Sequence, residues 1–500
     1  MPKTKGIQTL YNSCIHNIAN NINYWTEHYE KHVLKRSPQE RRKILFFLGP
    51  FDELNSLIVN ELIELLVFKK RLTFPALQLI INSGSITKLN LEGAAKLVND
   101  AIVSSVAKQC SNLKFLNLSR CKRISATALT NLSSKLPLAL SLNFSWTAIN
   151  TSALCNIIRN CKKLLELVLK DCKISDETLH EINTKAINGD FLKMKVIDLS
   201  DNDGITEIGL GNLLACMPHL EDVRHHLLFE AISEQEWIRS SSNNNYYLLR
   251  TLSCLDADML GDGDMETITE RCPNLYRLEV RLTVHLSSVG LHRLSSLEAL
   301  GELVLDGNDH AGDFASYRSK VRTPLEACGQ GLVTLIVENM KELDLLEVLS
   351  FCPKLKNLTV LQHGQPGNFC NGATTPKCVN LSRLCIWSRL RDNSLTAKAL
   401  ESILSSAVGL ENIELFQVDN LTDSVLEKVL AVHSMEKLSW LHLQECNHIK
   451  GEALSSLVLD DNNLLQKVTL MNNWLVNRAD YEVWKRTAAD SNLDVQIEWQ

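Results

Sequence analysis

Apolar residues recur along most of the chain in short alternating triplets. The clearest is Leu116-Asn117-Leu118, preceded by Leu113 and followed by Cys121. The same L-x-x-L-x-L-x-x-C spacing returns at Leu164–Cys172 and at Leu438–Cys446. Weaker copies centre on Leu89, Leu142, Ile197, Val223, Leu252, Leu278, Leu303, Leu335, Leu358, Leu384, Ile413, Val468 and Val495. Alternation with period two predicts a short strand with its leucines turned inward. Ser or Thr then follows an apolar residue, as in Ile124-Ser125, Ile174-Ser175, Ile205-Thr206 and Leu421-Thr422. Such hydroxyls suit a helix N-terminus. Apolar positions at helical spacing come next, as in Leu154, Ile157, Ile158 and in Leu426, Val429, Leu430. A cysteine commonly closes the unit before the next strand: Cys110, Cys161, Cys216, Cys272 and Cys352.

This strand–helix unit resembles the cysteine-containing subclass of leucine-rich repeats found in F-box/LRR substrate receptors. The resemblance covers residues 85–500 and implies an α/β leucine-rich-repeat solenoid, a horseshoe with parallel strands on its concave face. The cysteines read as small buried apolar residues. Three stretches depart from the pattern. Arg224–Tyr247 replaces a tidy helix with a segment ending in a Ser/Asn run, Gly307–Lys320 reads as an insertion, and His363–Pro376 is too rich in Gly and Pro for a helix. Each is either a partner contact or a solvated loop. Residues 477–500 read as a helix and strand capping the solenoid.

Residues 1–84 are a separate, helical segment. Leu10, Cys14, Ile15, Ile18, Ala19 and Ile22 form a stripe at helical spacing. Within it, residues 9–18 resemble the BC box of elongin-binding receptors, with Thr9, Leu10, Cys14 and Ile18 at its fixed positions. The resemblance implies that Leu10 enters a pocket of elongin C, a helix-in-groove contact. Residues 49–58 resemble a cullin-2 box through Pro50, Phe51, Leu54 and Ile58, although Gly49 stands where that family has an apolar residue. Between the boxes, Thr26–Arg42 is charged and basic. It reads as a solvated connector, with nucleic-acid binding or a nuclear signal as the alternative. A helix over Glu53–Lys70 and a second short helix lead into the repeats.

Composition adds exclusions. The 500 residues carry a formal net charge of −6, which argues against a nucleic-acid partner. The 15 cysteines, the absence of an apolar signal stretch at the start and of any membrane-length apolar run point to an intracellular chain, cytoplasmic or nuclear, with reduced thiols. No phosphate loop, nucleophile elbow or zinc-protease helix occurs. Cys370, Cys378, Cys385 and His363 lack the paired spacing of a zinc site. No cofactor, metal or catalytic residue is expected.

The residues between the inward leucines should carry binding. Early repeats place Asn90, Asn117, Ser119, Asn143 and Ser145 there; middle ones place Asp198, Arg224, Arg277, Glu279, Arg281, Glu302, Asp306 and Glu338. Late repeats place Trp387, Phe416, Trp440 and His442 on neighbouring strands. These aromatic groups, with Arg281, are the expected substrate contacts. The combined expectation is a non-catalytic substrate receptor of an elongin B/C–cullin-2–RING-box ubiquitin ligase that binds a protein substrate and no membrane. The alternatives are an F-box-like receptor using a Skp adaptor through residues 45–84, and a stand-alone leucine-rich-repeat scaffold.

Overall fold

The computed structural model describes residues 10–29, 51, 54–81, 86–187, 193–234, 246–257, 259–308, 314–362, 378–388, 395–460, 462–491 and 493–500. Among the described residues four helices come first: α1 (Leu10–Asn20), α2 (Ile22–Tyr29), α3 (Ser56–Phe68) and α4 (Phe74–Ile81). A parallel sheet follows, made of β1 (Lys88–Asn90), β2 (Phe115–Asn117), β3 (Ser141–Asn143), β4 (Glu166–Val168), β5 (Val196–Asp198) and β6 (Asp222–Arg224). The second parallel sheet holds β7 (Thr251–Cys254), β8 (Arg277–Arg281), β9 (Glu302–Asp306), β10 (Thr334–Glu338) and β11 (Asn357–Gln362). It continues through β12 (Arg383–Ser388), β13 (Asn412–Phe416), β14 (Trp440–Gln444), β15 (Lys467–Met471) and β16 (Gln496–Trp499). The chain divides into two compact units between Leu249 and Arg250. The helices before β1 therefore share a unit with the first six repeats.

Strand order equals chain order within each sheet, with a helical segment or turn between successive strands. That is a leucine-rich-repeat array in both units. The inward leucines pair in register: Leu89, Leu116, Leu142, Leu167, Ile197 and Val223 in the first sheet. In the second sheet the row ends at Val468 and Ile497. The last strand is therefore centred two residues later than the Val495 expected from spacing. Ser125, Thr206 and Thr422 cap their helices as their chemistry predicts. Asp100 and Asp176, in the first turns of their helices, also bond the capping residues of the following repeat, Ser125 and Thr206.

The corner after eight of the strands repeats one backbone shape. Arg120, Trp146, Asp171, Asp201, Asn339, Gln417, Glu445 and Asn472 all have positive φ, each four residues after its inward strand residue. A side chain in this region costs roughly 1 kcal/mol, so the conformation is imposed by the corner. The amide of Arg120 reaches the Ser145 carbonyl of the next repeat, and that of Trp146 reaches Lys170. The residue after it points into the core. Cys121, Cys172 and Cys446 donate their thiols to the Leu91, Phe144 and Leu415 carbonyls of the preceding repeats. Asn202 does more. Its Oδ1 accepts from the Cys172 and Ile174 amides and its Nδ2 donates to the Leu169 and Leu199 carbonyls, all within 3.0 Å.

Several expectations change. The segment after Arg224 does form a helix, Leu228–Glu234, before the Ser/Asn run, which lies outside the described residues. The expected insertion begins with a strand-like bridge from Asn308 to Phe314 and continues as a π-helical turn, Tyr317–Val321, whose tyrosine is fully buried. The whole of the Gly/Pro stretch also lies outside the described residues. The start of the basic connector is helical to Tyr29, with Thr26 buried. The early polar residues serve the backbone: Asn117 and Asn143 accept from the Ser119 and Ser145 amides two residues on. These are Asx turns, not free recognition groups.

The buried asparagine sets the first prediction. Asn202→Ala orphans several buried backbone groups and should lower the unfolding free energy by about 3 kcal/mol. Urea unfolding followed by circular dichroism measures it, and a loss below about 0.5 kcal/mol would show that these bonds carry little.

Candidate functional site

Helix α1 has two unlike faces. Ile15 and Ala19 are buried, as is Ile22 at the start of α2. α1 lies alongside α3 and in the same direction. Tyr11 donates its hydroxyl to Glu61 at 2.6 Å, while at the other end Lys69 donates to Asn20 Oδ1 at 2.7 Å and Arg71 to the Asn20 carbonyl at 2.7 Å. The Glu61 bond pushes the Tyr11 phenol up, keeping it a donor. The opposite face carries Leu10, 80% exposed, and Cys14, also exposed, with Ile18 half-buried beside them. The six-residue apolar stripe is thus split: half anchors the helix and half faces outward. Thr9 lies outside the described residues.

The second box is placed differently. Pro50 lies outside the described residues. Phe51 is buried, edge-on to Trp25 with ring centroids 6.3 Å apart, so its ring serves the packing of this segment. Leu54 and Ile58 are half-buried. The exposed apolar side chains of α3 are Leu57 and Phe68, at 62% and 84%. Neither was singled out by spacing. Asn55 caps α3 through the Ile58 amide, and the register that follows turns Leu57 outward.

In the second unit, β12, β13 and β14 bring four rings together on the face opposite the inward leucines. Trp387 stacks on Phe416 at 4.7 Å, Phe416 meets His442 at 4.8 Å, and Trp440 lies 6.2 Å from His442. The Trp387–Phe416 contact follows from strand register. Beside the rings, Arg383 donates to the buried Glu414 carboxylate at 2.6 Å. Burial holds His442 below the usual imidazole range, so its ring is neutral at neutral pH. Trp440 Nε1 and His442 Nε2 are buried and have no hydrogen-bond partner among the described residues, a polar demand that ordinarily has to be met. Arg281 is elsewhere. On β8 it faces Asp306 at 3.5 Å. Register puts it four strands from Trp387, about 19 Å away at ordinary strand spacing.

Among the described residues no group of His, Cys, Asp and Glu could hold a metal, and no helix is long and apolar enough to cross a membrane. Burial pushes the thiols of Cys110, Cys121, Cys161, Cys272, Cys352 and Cys446 up to about 12.

No family model matches the chain. Over 126 residues it is 27% identical to F-box/LRR-repeat protein 4 from Bos taurus and 33% identical to the putative F-box/LRR-repeat protein 23 from Arabidopsis thaliana. Each match spans 25% of this chain, and 20% and 27% of those proteins. The likeness is therefore to part of F-box/LRR proteins. Among solved structures, the chain aligns with one from the Rad7 and Elc1 complex of yeast at 15% identity and a TM-score of 0.46, covering 95% of this chain and 96% of that one. It also aligns with an internalin of Listeria monocytogenes at 17% identity and a TM-score of 0.32, covering 87% and 92%.

The contrast among cysteines is measurable. At pH 8 a thiol with a pKa of about 12 is thiolate in only about one molecule in 10⁴. Native-state alkylation with N-ethylmaleimide, read by peptide mass spectrometry, should modify Cys14 well before Cys110, Cys161 or Cys272. Equal rates would mean that the repeats open more readily than they hold.

Proposed function

We propose that this chain is the substrate-recognition subunit of a cullin–RING ubiquitin ligase that engages elongin B/C through α1 and a protein substrate through the aromatic face of β12–β14. The observation that carries the reading is the outward face of α1. Leu10 stands 80% exposed on a helix whose other side is anchored by buried residues, with Cys14 and Ile18 along the same face. An amphipathic helix held in this way is what a groove on an adaptor takes up: anchors at i, i+4 and i+8, already ordered before binding. The residue types match the BC box at each described position.

The cullin side draws on α3. Phe51 is committed to internal packing, so contact with cullin-2 would pass through the partly exposed Leu54 and Ile58 together with Leu57. The substrate side draws on the four rings, since aromatic anchors dominate protein interfaces and two ring nitrogens there have no partner among the described residues. The chain's own contribution is proximity: it holds substrate near the conjugating enzyme and performs no bond chemistry itself. The partial likeness to two F-box/LRR proteins favours one other reading, the same receptor role with a Skp adaptor.

The test separates the two. Purified chain, with and without Leu10→Ala plus Cys14→Ala, is offered elongin B/C and a Skp adaptor in parallel. Both side chains are exposed, so the variant should melt with the wild type. Elongin B/C should be retained by the wild type and weakened at least about thirtyfold by the double substitution, since two interface anchors at roughly 1–2 kcal/mol each are removed. Failure of the wild type to bind elongin B/C overturns the proposal, and capture of the Skp adaptor instead establishes the alternative.

A further inference from the structure

In the first unit, the loops that follow β1 and β2 meet the end of α3 around a surface cavity of about 880 Å³. Five cations line it: Lys70, Lys96, Arg120, Lys122 and Arg123. One carboxylate, Glu92, joins them and is bonded to Arg120 at 3.3 Å. Arg123 donates to the Lys96 carbonyl at 3.0 Å, which ties the two loops together. The ammonium groups of Lys70, Lys96 and Lys122 have no ion-pair partner among the described residues. A second cavity, of about 590 Å³, continues along the same edge, sharing Lys122 and adding Trp146, Lys173 and one carboxylate, Asp171.

This concentration of positive charge runs against the chain as a whole, which carries a net charge of −6. Lysines on a plain solvated face usually alternate with acids that pair with them. Here like charges converge on one hollow, which costs repulsion unless an anion enters. The backbone contributes to the convergence. Lys70 and Arg120 both sit at positive φ, a conformation set by the fold that turns successive side chains onto one edge. Size and charge together match a compact, multiply charged anion carried on a larger molecule.

Two carriers have that chemistry, a nucleic acid and a phosphorylated protein. Single-stranded nucleic acid is held by successive aromatic platforms along a basic groove. Among the described residues no aromatic ring lines the larger cavity, and the one ring lining the second, Trp146, is half-buried and already engaged by the Arg120 guanidinium 4.8 Å from its centroid and the Lys170 ammonium at 5.7 Å. A phosphoserine or phosphothreonine needs no ring. It brings close to two negative charges and three acceptor oxygens, which suit a lysine and arginine cluster. We propose that the hollow between the first two strand-to-helix corners and the end of α3 binds a phosphorylated segment of a protein partner, with Lys96, Lys122 and Arg120 as its main donors. This site is independent of the adaptor face of α1.

The experiment uses the full chain and fluorescence anisotropy. The probes are fluorescein-labelled Gly-pSer-Gly-pSer-Gly, its unphosphorylated form, and a labelled oligothymidylate. The variant is Lys96→Glu with Lys122→Glu; both side chains are exposed, and an unchanged melting curve confirms that it folds. The expected result is binding of the phosphorylated probe alone, weakened by added salt, with Kd raised at least about tenfold in the variant. Elongin B/C capture should be equal in variant and wild type, whichever way that capture falls. Absence of phosphopeptide binding, or equal binding by the variant, overturns the proposal. Tighter binding of the oligothymidylate, lost in the same variant, replaces it with a nucleic-acid site.

Discussion

The architecture depends on how each strand-to-helix corner disposes of its buried carbonyls. A parallel array of very short strands leaves, at every repeat, main-chain oxygens turned toward the interior with no strand partner. An unmet buried carbonyl costs on the order of 1–3 kcal/mol, so several left unmet would together outweigh the stability of an ordinary domain. At five of the left-handed corners the next residue meets the demand: Cys121, Cys172, Cys446, Asn202 and Asn473. Where it is Cys, a thiol donates weakly and packs as a small apolar group. Where it is Asn, as at Asn202 and Asn473, one side chain both accepts from an amide and donates to a carbonyl of the preceding repeat. Everything carried on the rims and strand faces rests on that internal ladder.

Much of this could be read from the chain beforehand, because it follows from local periodicity. The inward leucines, the capping hydroxyls and the buried cysteines are each set by nearest-neighbour geometry. What escaped was non-local. The Asn at the second corner residue is read only when the carbonyls of the preceding repeat are in view. Asn117 and Asn143 look like surface recognition groups until their turns are seen to use them. Arg281 was grouped with rings that register keeps four strands away. At the candidate adaptor site, helical spacing showed the stripe but could not divide it. Which apolar residues anchor and which face outward depended on where α3 lay, and that packing buries Ile15 while leaving Leu10 and Cys14 outside.

The two candidate protein-binding surfaces differ in kind. The α1 face is narrow, preformed and apolar, so its affinity would rest on burying a few side chains at little ordering cost. The ring cluster on β12–β14 is partly self-satisfied: the Arg383–Glu414 pair fixes its polar side, and stacking already covers Phe416. Such a surface discriminates by polar complementarity as much as by area, because its two buried ring nitrogens favour an incoming group that brings partners for them.

The left-handed corner has one more consequence. Because the conformation is enforced by the ladder, the identity of the corner residue is left unspecified, and Arg, Trp, Asp, Asn, Gln and Glu all occupy it. Each of these gives up a little stability that glycine would return. The rim is therefore a row of writable positions, replaceable one at a time with little effect beyond the neighbouring repeat. A lineage could change what this edge binds, or cease binding anything there, without touching a single leucine.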